Sequence, residues 1–120
     1  MAQHNDTGTK GEEIASDFLF KKGYTILETN WHFHNLEVDI IAMKDKILVV
    51  VEVKTRKSNY FGEPETFVNK QKQKNLIKVA NSYILRNNLD LEVRFDIISI
   101  ILGENQIKIN HIKDAFSNTR

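Results

Sequence analysis

The sequence contains no cysteine, only one proline and no apolar run long enough to cross a bilayer. Without cysteine, the chain forms no disulfide bonds and offers no thiolate ligand to a metal ion. Without an apolar run of about 20 residues, no membrane-spanning helix is expected. The N-terminal residues also lack the apolar segment of a signal peptide, so we expect a cytoplasmic protein that does not associate with membranes.

The length and charge of the chain predict a single soluble domain. With 120 residues, the chain can bury a modest hydrophobic core. The formal net charge of +1 does not indicate a partner by itself, but lysines concentrate between Lys54 and Lys78. We expect residues 1–120 to form one domain whose ends, residues 1–8 and 113–120, are flexible.

Two strand patterns in the first half of the chain predict an antiparallel hairpin. Residues 36–42 and 47–55 are both rich in valine, isoleucine and leucine, and a short polar segment separates them. Such a short connection favours antiparallel pairing of neighbouring strands. Pairing Ala42 with Ile47 is the simplest register.

The charged residues of these two strands lie at alternate positions, so each strand presents them on one face. Glu37 and Asp39 share a face of the first strand, and Glu52 and Lys54 share a face of the second. In the register above, Glu37 lies opposite Glu52 and Asp39 lies one diagonal step away. Burying these charges without partners would cost several kcal/mol. This cost indicates a site, although cross-strand salt bridges on a solvated face are the alternative.

Two amphipathic helices are predicted, over residues 9–22 and 66–86. The first begins with a capping box at Thr9. Glu12 lies at the edge of the apolar stripe of this helix, so it is the glutamate that can reach a site beside the core. Lys72 lies on the apolar stripe of the second helix and is expected to face the protein or a cleft.

Three further strand patterns complete the predicted fold, over residues 24–31, 92–102 and 106–112. The element order is therefore α-β-β-β-α-β-β. Strand runs interrupted by two amphipathic helices predict the α/β class, with a mixed β-sheet flanked by two main helices.

The acidic residues of the hairpin suit a hard divalent cation. Mg²⁺ takes one or two carboxylates and keeps several waters, and Asp39 and Glu52 would supply those carboxylates. The Val53 carbonyl is a candidate third ligand. A bound cation would polarise a phosphodiester and lower the pKa of a bound water. Lys54 would then stabilise the developing negative charge, and Glu12 would hold a water or a second cation.

Several basic residues are candidate phosphate contacts. Arg56 follows the second strand of the hairpin, and Lys70, Lys72 and Lys74 lie on the second helix. Lysine contacts of this kind position a nucleic acid without reading its sequence. A solvated helix face is the alternative for Lys70 and Lys74, whereas the position of Lys72 favours a cleft.

An ordered set of motifs along the chain resembles the PD-(D/E)XK nuclease superfamily and, more narrowly, the YraN family of bacterial endonuclease-like proteins. The core of the resemblance is Glu37-Val38-Asp39 followed by Val51 to Arg56. The remaining matches are Gly11-Glu12 with Ala15 and Leu19, Gly23-Tyr24, Asn30-Trp31, Phe61-Gly62, Lys72 with Leu76 and Ala80, and Arg94-Phe95-Asp96.

The resemblance implies a restriction-endonuclease-like core, similar to archaeal Holliday-junction resolvases, and the cofactor Mg²⁺ or Mn²⁺. Carried over by position, Asp39 and Glu52 are the implied metal ligands. Lys54 is the implied catalytic lysine and Glu12 the additional acid of the first helix. Glu37 is given a supporting role, either tuning the site or pairing with a neighbouring cation.

The expected function is metal-dependent hydrolysis of DNA phosphodiester bonds by an endonuclease-like protein, with a homodimer as one way to make paired cuts. A nucleic-acid-binding module that keeps the fold but does not cleave is one alternative. A structural domain with an acidic ion-pair network is another. Two positions depart from the family pattern, because His32 stands where arginine is common and Leu36 where glycine is common.

Overall fold

The computed structural model describes residues 6–58 and 67–117. It has the predicted order α-β-β-β-α-β-β, with two helices and a five-stranded mixed sheet, so the predicted fold class is confirmed. The elements are α1 (Asp6–Lys21), β1 (Thr25–Phe33), β2 (Leu36–Lys44), β3 (Ile47–Lys57), α2 (Lys70–Asn87), β4 (Glu92–Leu102) and β5 (Ile107–Phe116).

The sheet has the strand order β1-β2-β3-β4-β5, and only β3 and β4 run parallel. The chain between them contains α2, as a parallel crossover requires. The two helices cover opposite faces of the sheet. Side chains of β3 therefore alternate between two cores, with Leu48 and Val50 in the core under α2, and Val49 and Val51 in the core under α1. Burial on both faces explains the continuous apolar run at the start of β3.

The turn between β2 and β3 is tighter than the sequence suggests. It consists of Asp45 and Lys46, which both have positive φ angles, of 53° and 65°. A two-residue turn with this backbone matches the twist of a hairpin. The strands consequently extend further toward the turn, and Ala42 pairs with Val49. The predicted pairing of Ala42 with Ile47 is therefore wrong by two residues.

The corrected register changes which acidic residue lies beside Glu52. The paired segment of β2 and β3 runs from the turn to the pair of Ile40 and Val51. Asp39 and Glu52 are the next residues beyond this pair, so Asp39, not Glu37, lies at the level of Glu52. A shift of two residues keeps every side chain on its predicted face.

The element ends also differ from the prediction. The first helix begins at Asp6, so the predicted capping box at Thr9 lies inside the helix and does not start it. The second helix begins at Lys70, where the Asn69 side chain caps it, so the predicted start at residue 66 is wrong. The last strand continues to Phe116 and includes residues predicted to lie in a flexible tail. Among the described residues, no helix is long and apolar enough to cross a membrane.

Candidate active site

The site forms where β2 and β3 stop pairing. Beyond the pair of Ile40 and Val51, the backbone N–H of Val53 donates a 2.8 Å hydrogen bond to Oδ2 of Asp39. The carboxylate thus satisfies a backbone donor at the point where the ladder ends. This bond fixes Asp39 beside the main chain that carries Glu52.

An open cleft of about 420 Å³ lies at this point. It brings together Glu12 from α1, Asp39 from β2, and Glu52, Lys54 and Arg56 from β3. Gly8, Val53 and Thr55 complete its wall. Five sequence-predicted site residues from three elements therefore share one cleft.

A smaller cavity of about 170 Å³ adjoins the cleft on the side of α2. Glu52 and Lys54 line both spaces, and Lys72 lines the second. The Lys54 ammonium donates a hydrogen bond to the backbone carbonyl of Phe67. The segment that leads into α2 therefore holds Lys54, while the first turn of α2 brings Lys72 toward Glu52.

A close contact between α1 and β3 positions Glu12. Gly11 is buried, and a Cβ atom at this position would lie 1.8 Å from Oγ1 of Thr55. Only a residue without a side chain permits this approach of the helix to the strand. The next residue of α1, Glu12, consequently reaches the cleft, while Glu13 is exposed.

The surroundings of Asp39 favour its protonated form. Burial, followed by the nearby charges of Glu52 and Glu12, raises the pKa of Asp39 from its ordinary value of 3.8 to about 7. The hydrogen bond from Val53 and the charge of Lys72 act in the opposite direction but do not cancel the rise. Near neutral pH, this carboxyl group therefore exchanges readily between its two protonation states.

Burial also opposes the charge of Glu52, but more neighbouring groups favour its charged form than favour that of Asp39. Burial raises the pKa of Glu52, while Lys72, Lys54 and a hydrogen bond from the Asp39 carboxyl oppose the rise. The Lys72 ammonium is 3.8 Å from Oε1 of Glu52, which is the distance of an ion pair but too long for a direct hydrogen bond. The Glu52 side chain is 16% exposed and that of Lys72 is 43% exposed, so the ion pair lies at the mouth of the site.

The donor set of the cleft fits a hard divalent cation. Asp39 and Glu52 place two desolvated carboxyl groups together, and a cation between them would favour the charged form of both. Within residues 6–58 and 67–117, no group of three or more histidine and acidic side chains has the geometry of a metal site. A cation would accordingly be held by these two carboxylates and completed by water, which is the coordination that Mg²⁺ prefers.

Other sequence-predicted residues do not join the cleft. Glu37 is exposed, and its carboxylate lies 3.8 Å from Nε2 of His32 on β1. Lys70 and Lys74 are exposed on α2 and line neither cavity. The loop motif at residues 61–62 lies outside the described residues.

One buried group of polar residues is only partly indicated by the sequence. Asp96 is fully buried, and both of its carboxylate oxygens accept hydrogen bonds from Arg94, at 2.9 and 2.8 Å. His111 from β5 lies 2.7 Å from Oδ2, and the backbone N–H of Asp114 donates to Oδ1. The alternation of Arg94 and Asp96 on β4 indicates their pairing, but no local pattern indicates that His111 joins them.

Comparison with known sequences places the chain in a family. The pattern of the uncharacterised protein family UPF0102 matches residues 11–100. A UPF0102 protein of Flavobacterium psychrophilum is 54% identical over 116 residues, covering 97% of this chain and 98% of the relative. The UPF0102 protein of Parabacteroides distasonis is 47% identical, and the match covers 97% of this chain and 96% of the relative. That of Clostridium beijerinckii is 45% identical, and the match covers 94% of each chain.

These matches span the two helices, the hairpin and the cleft, and they confirm the narrower resemblance, to the YraN family, which is UPF0102. The relatives are similar to this chain over nearly their whole length. The protein therefore belongs to the uncharacterised protein family UPF0102.

Proposed function

We propose that this protein is a divalent-metal-dependent, endonuclease-like hydrolase that cleaves phosphodiester bonds of DNA. The observation that carries the proposal is the meeting of Asp39, Glu52 and Lys54 in one open cleft. Two carboxylates and a lysine are the groups that metal-assisted hydrolysis of a phosphodiester needs. The same residues carry the sequence resemblance to the PD-(D/E)XK nucleases.

In this proposal, Asp39 and Glu52 hold Mg²⁺ or Mn²⁺. The bound ion would supply Lewis-acid activation of the phosphate and a more acidic water. The hydrogen bond from Val53 keeps Asp39 oriented, and the ion pair with Lys72 does the same for Glu52. Both carboxylates are thus held in place before a cation binds, which lowers the entropic cost of binding.

Lys54 is the proposed electrostatic catalyst. Its ammonium group lines the cleft and is held from one side by the Phe67 carbonyl. A fixed ammonium stabilises the negative charge that develops on the phosphoryl oxygens during attack by water. Glu12 enters the same cleft from α1 and is placed to orient the attacking water.

A nucleic acid, proposed to be DNA, is the expected substrate because basic residues lie in and beside the cleft. Arg56 lies on its wall, and Lys72 lines the adjoining cavity. Lys70 and Lys74 lie on the exposed part of the first turns of α2. Such residues contact backbone phosphates and fix the position of a nucleic acid without selecting its sequence.

A nucleic-acid-binding module without cleavage activity is a second candidate, and one observation favours it. Lys72 and Lys54 already oppose the negative charge of Glu52 without a metal ion. These two cations partly take the place that a metal ion would have beside Glu52. This candidate predicts salt-dependent binding of DNA that leaves the substrate intact.

The test is cleavage by the purified protein of duplex, single-stranded and branched DNA with Mg²⁺ or Mn²⁺. The matched variants are Glu52→Gln, which removes a proposed ligand, and Glu104→Gln, which removes an exposed glutamate outside the cleft. The proposal expects metal-dependent cleavage that only Glu52→Gln abolishes. Binding without cleavage on every substrate would favour the second candidate.

A further inference from the structure

A separate cavity lies at the opposite end of α1 from the carboxylates. It has a volume of about 230 Å³ and is lined by Phe18, Lys22, Tyr24, Lys44, His111 and Lys113. Three of these six side chains carry a positive charge, and none is acidic. Along β2, Lys44 lies five positions after Asp39, which places the cavity about 16 Å from the candidate active site.

Two lysines of this cavity, Lys44 and Lys22, each contact a group that is not acidic. Nζ of Lys44 donates a 2.7 Å hydrogen bond to the backbone carbonyl of Lys22, just after α1, and lies 4.9 Å from the ring centroid of Tyr24. Nζ of Lys22 lies 5.5 Å from the ring centroid of Phe18. Within the described parts of the chain, no carboxylate lies within 4 Å of these ammonium groups or that of Lys113.

The inner wall of the cavity is formed by packed side chains that add no net negative charge. The His111 side chain is 9% exposed, and its ring packs edge-on against Phe18 and Tyr24, with centroids 6.0 Å apart in both pairs. Behind it, the charge of Asp96 is balanced by Arg94, whose guanidinium also donates to the Tyr24 hydroxyl. Asp96 therefore does not cancel the positive potential of the three lysines.

We propose that this cavity binds a phosphate group. Three lysines that line one cavity, with no carboxylate within 4 Å among the described residues, form a site for a compact anion with several acceptor oxygens. One of the three lysines, Lys44, already has a structural role, because its ammonium group donates to the carbonyl of Lys22 at the C-terminal end of α1. Lys22 and Lys113, which line the same cavity, are then the cations that would contact a ligand.

The ligand phosphate belongs either to a small molecule or to a nucleic acid. Inorganic phosphate and thymidine 5′-monophosphate represent the first source, and a short 5′-phosphorylated single-stranded oligonucleotide represents the second. The proposal does not depend on cleavage at the carboxylate site, because no residue of this cavity lines that cleft.

The experiment titrates each probe into the ¹⁵N-labelled protein at constant ionic strength and follows the backbone amides of Gly23, Tyr24 and Lys113. Saturable shifts at these amides are expected. The double variant Lys22→Gln/Lys113→Gln should weaken binding at least about tenfold. Its control, Lys46→Gln/Lys108→Gln, removes the same charge from exposed lysines outside the cavity and should change the affinity less than about twofold.

The relative affinities then identify the source of the phosphate. Saturation by inorganic phosphate or the mononucleotide identifies a small-molecule site, while saturation by the oligonucleotide alone identifies a contact to nucleic acid. Either result upholds the cavity as a phosphate site. Absence of saturable shifts with all three probes would overturn the proposal, and so would equal weakening by the two double variants.

Discussion

Oδ2 of Asp39 accepts a 2.8 Å hydrogen bond from the backbone N–H of Val53, at the point where β2 and β3 separate. The same carboxyl group lines the cleft and adjoins Glu52. Asp39 is therefore a structural hydrogen-bond acceptor and, at the same time, a candidate metal ligand. Its position is fixed by the end of the strand pairing, and its charge is opposed by burial and by two other acids.

The first prediction concerns the variant Asp39→Asn in the absence of divalent cations. The amide oxygen can still accept the hydrogen bond from Val53, but the desolvated charge is removed. We expect the free energy of unfolding near pH 8 to rise on the order of 2 kcal/mol. Thermal unfolding in the presence of a chelator measures this change.

The gain in stability of Asp39→Asn should increase with pH. The pKa of Asp39 is raised in the folded state, from 3.8 to about 7, so the folded protein holds its proton more tightly than the unfolded chain. Its contribution to stability is present at low pH and is lost between about pH 4 and 7. The advantage of Asp39→Asn should therefore be largest above pH 7, and a constant difference across this range would contradict the assignment.

The second prediction concerns the contact of Gly11 with Thr55. A methyl group in Gly11→Ala would overlap the Thr55 side chain and push α1 away from β3. We expect a loss of about 1–3 kcal/mol in the free energy of unfolding and withdrawal of Glu12 from the cleft. Chemical denaturation measures the loss.

The same helix provides the control for this variant. Gly8 has no atom within 4 Å of the position of an added Cβ atom, so Gly8→Ala should leave stability unchanged or raise it by about 0.5–1 kcal/mol. A similar loss in both alanine variants would show that the close approach at Gly11 is not the cause.

The third prediction concerns the buried Asp96. Burial raises the pKa of this group, but hydrogen bonds from His111, Arg94 and the Asp114 backbone outweigh burial and hold the pKa below its ordinary value. Asp96→Asn leaves the Arg94 charge without its partner, so we expect a loss of about 3–5 kcal/mol. Urea denaturation of the variant measures this loss.

The lowered pKa of Asp96 also determines how its contribution to the free energy of unfolding changes with pH. The stability that it contributes is present above the pKa of the unfolded chain, near 3.9, and is lost as the pH falls toward the lower pKa of the folded state. Asp17→Asn, which breaks the exposed pair with Lys21, is the control and should cost less than about 0.5 kcal/mol. Equal losses in the two variants would contradict a special role for the buried group.

The fourth prediction concerns binding of DNA in the absence of cleavage. Lys72 faces the site beside Glu52, whereas Lys78 is exposed on the same helix and lines neither the cleft nor the adjoining cavity. With a chelator present, Lys72→Gln should weaken binding and reduce the slope of log affinity against log salt by about 1. Fluorescence anisotropy measures both quantities. A larger effect of Lys78→Gln would place the nucleic acid elsewhere on α2.

The fold was predictable because strand alternation and helical periodicity are local signals. The register of the hairpin was not, because its turn uses Asp45 and Lys46 with positive φ angles, where glycine or asparagine is the usual indicator. The early start of α1 was missed because a capping pattern at Thr9 also fits the interior of a helix.

The members of the site were predictable to a similar extent. The angle of Glu12 to the apolar stripe correctly favoured it over Glu13, and alternation along β3 correctly grouped Glu52 with Lys54. The bond between Asp39 and Val53 was not predictable, because it depends on where two strands part. Contacts that join distant segments, such as His111 with Asp96, leave no trace in local sequence patterns.

The central claim is that Asp39 and Glu52 together hold the divalent cation that cleavage requires. The most direct measurement is the single-turnover rate of DNA cleavage as a function of Mg²⁺ concentration, for the wild-type protein and for a folded Glu52→Ala variant. The account predicts a rate that rises and saturates with Mg²⁺ and that falls at least about 100-fold in the variant. Cleavage at the wild-type rate by Glu52→Ala, or no metal-dependent cleavage by the wild-type protein, would contradict it.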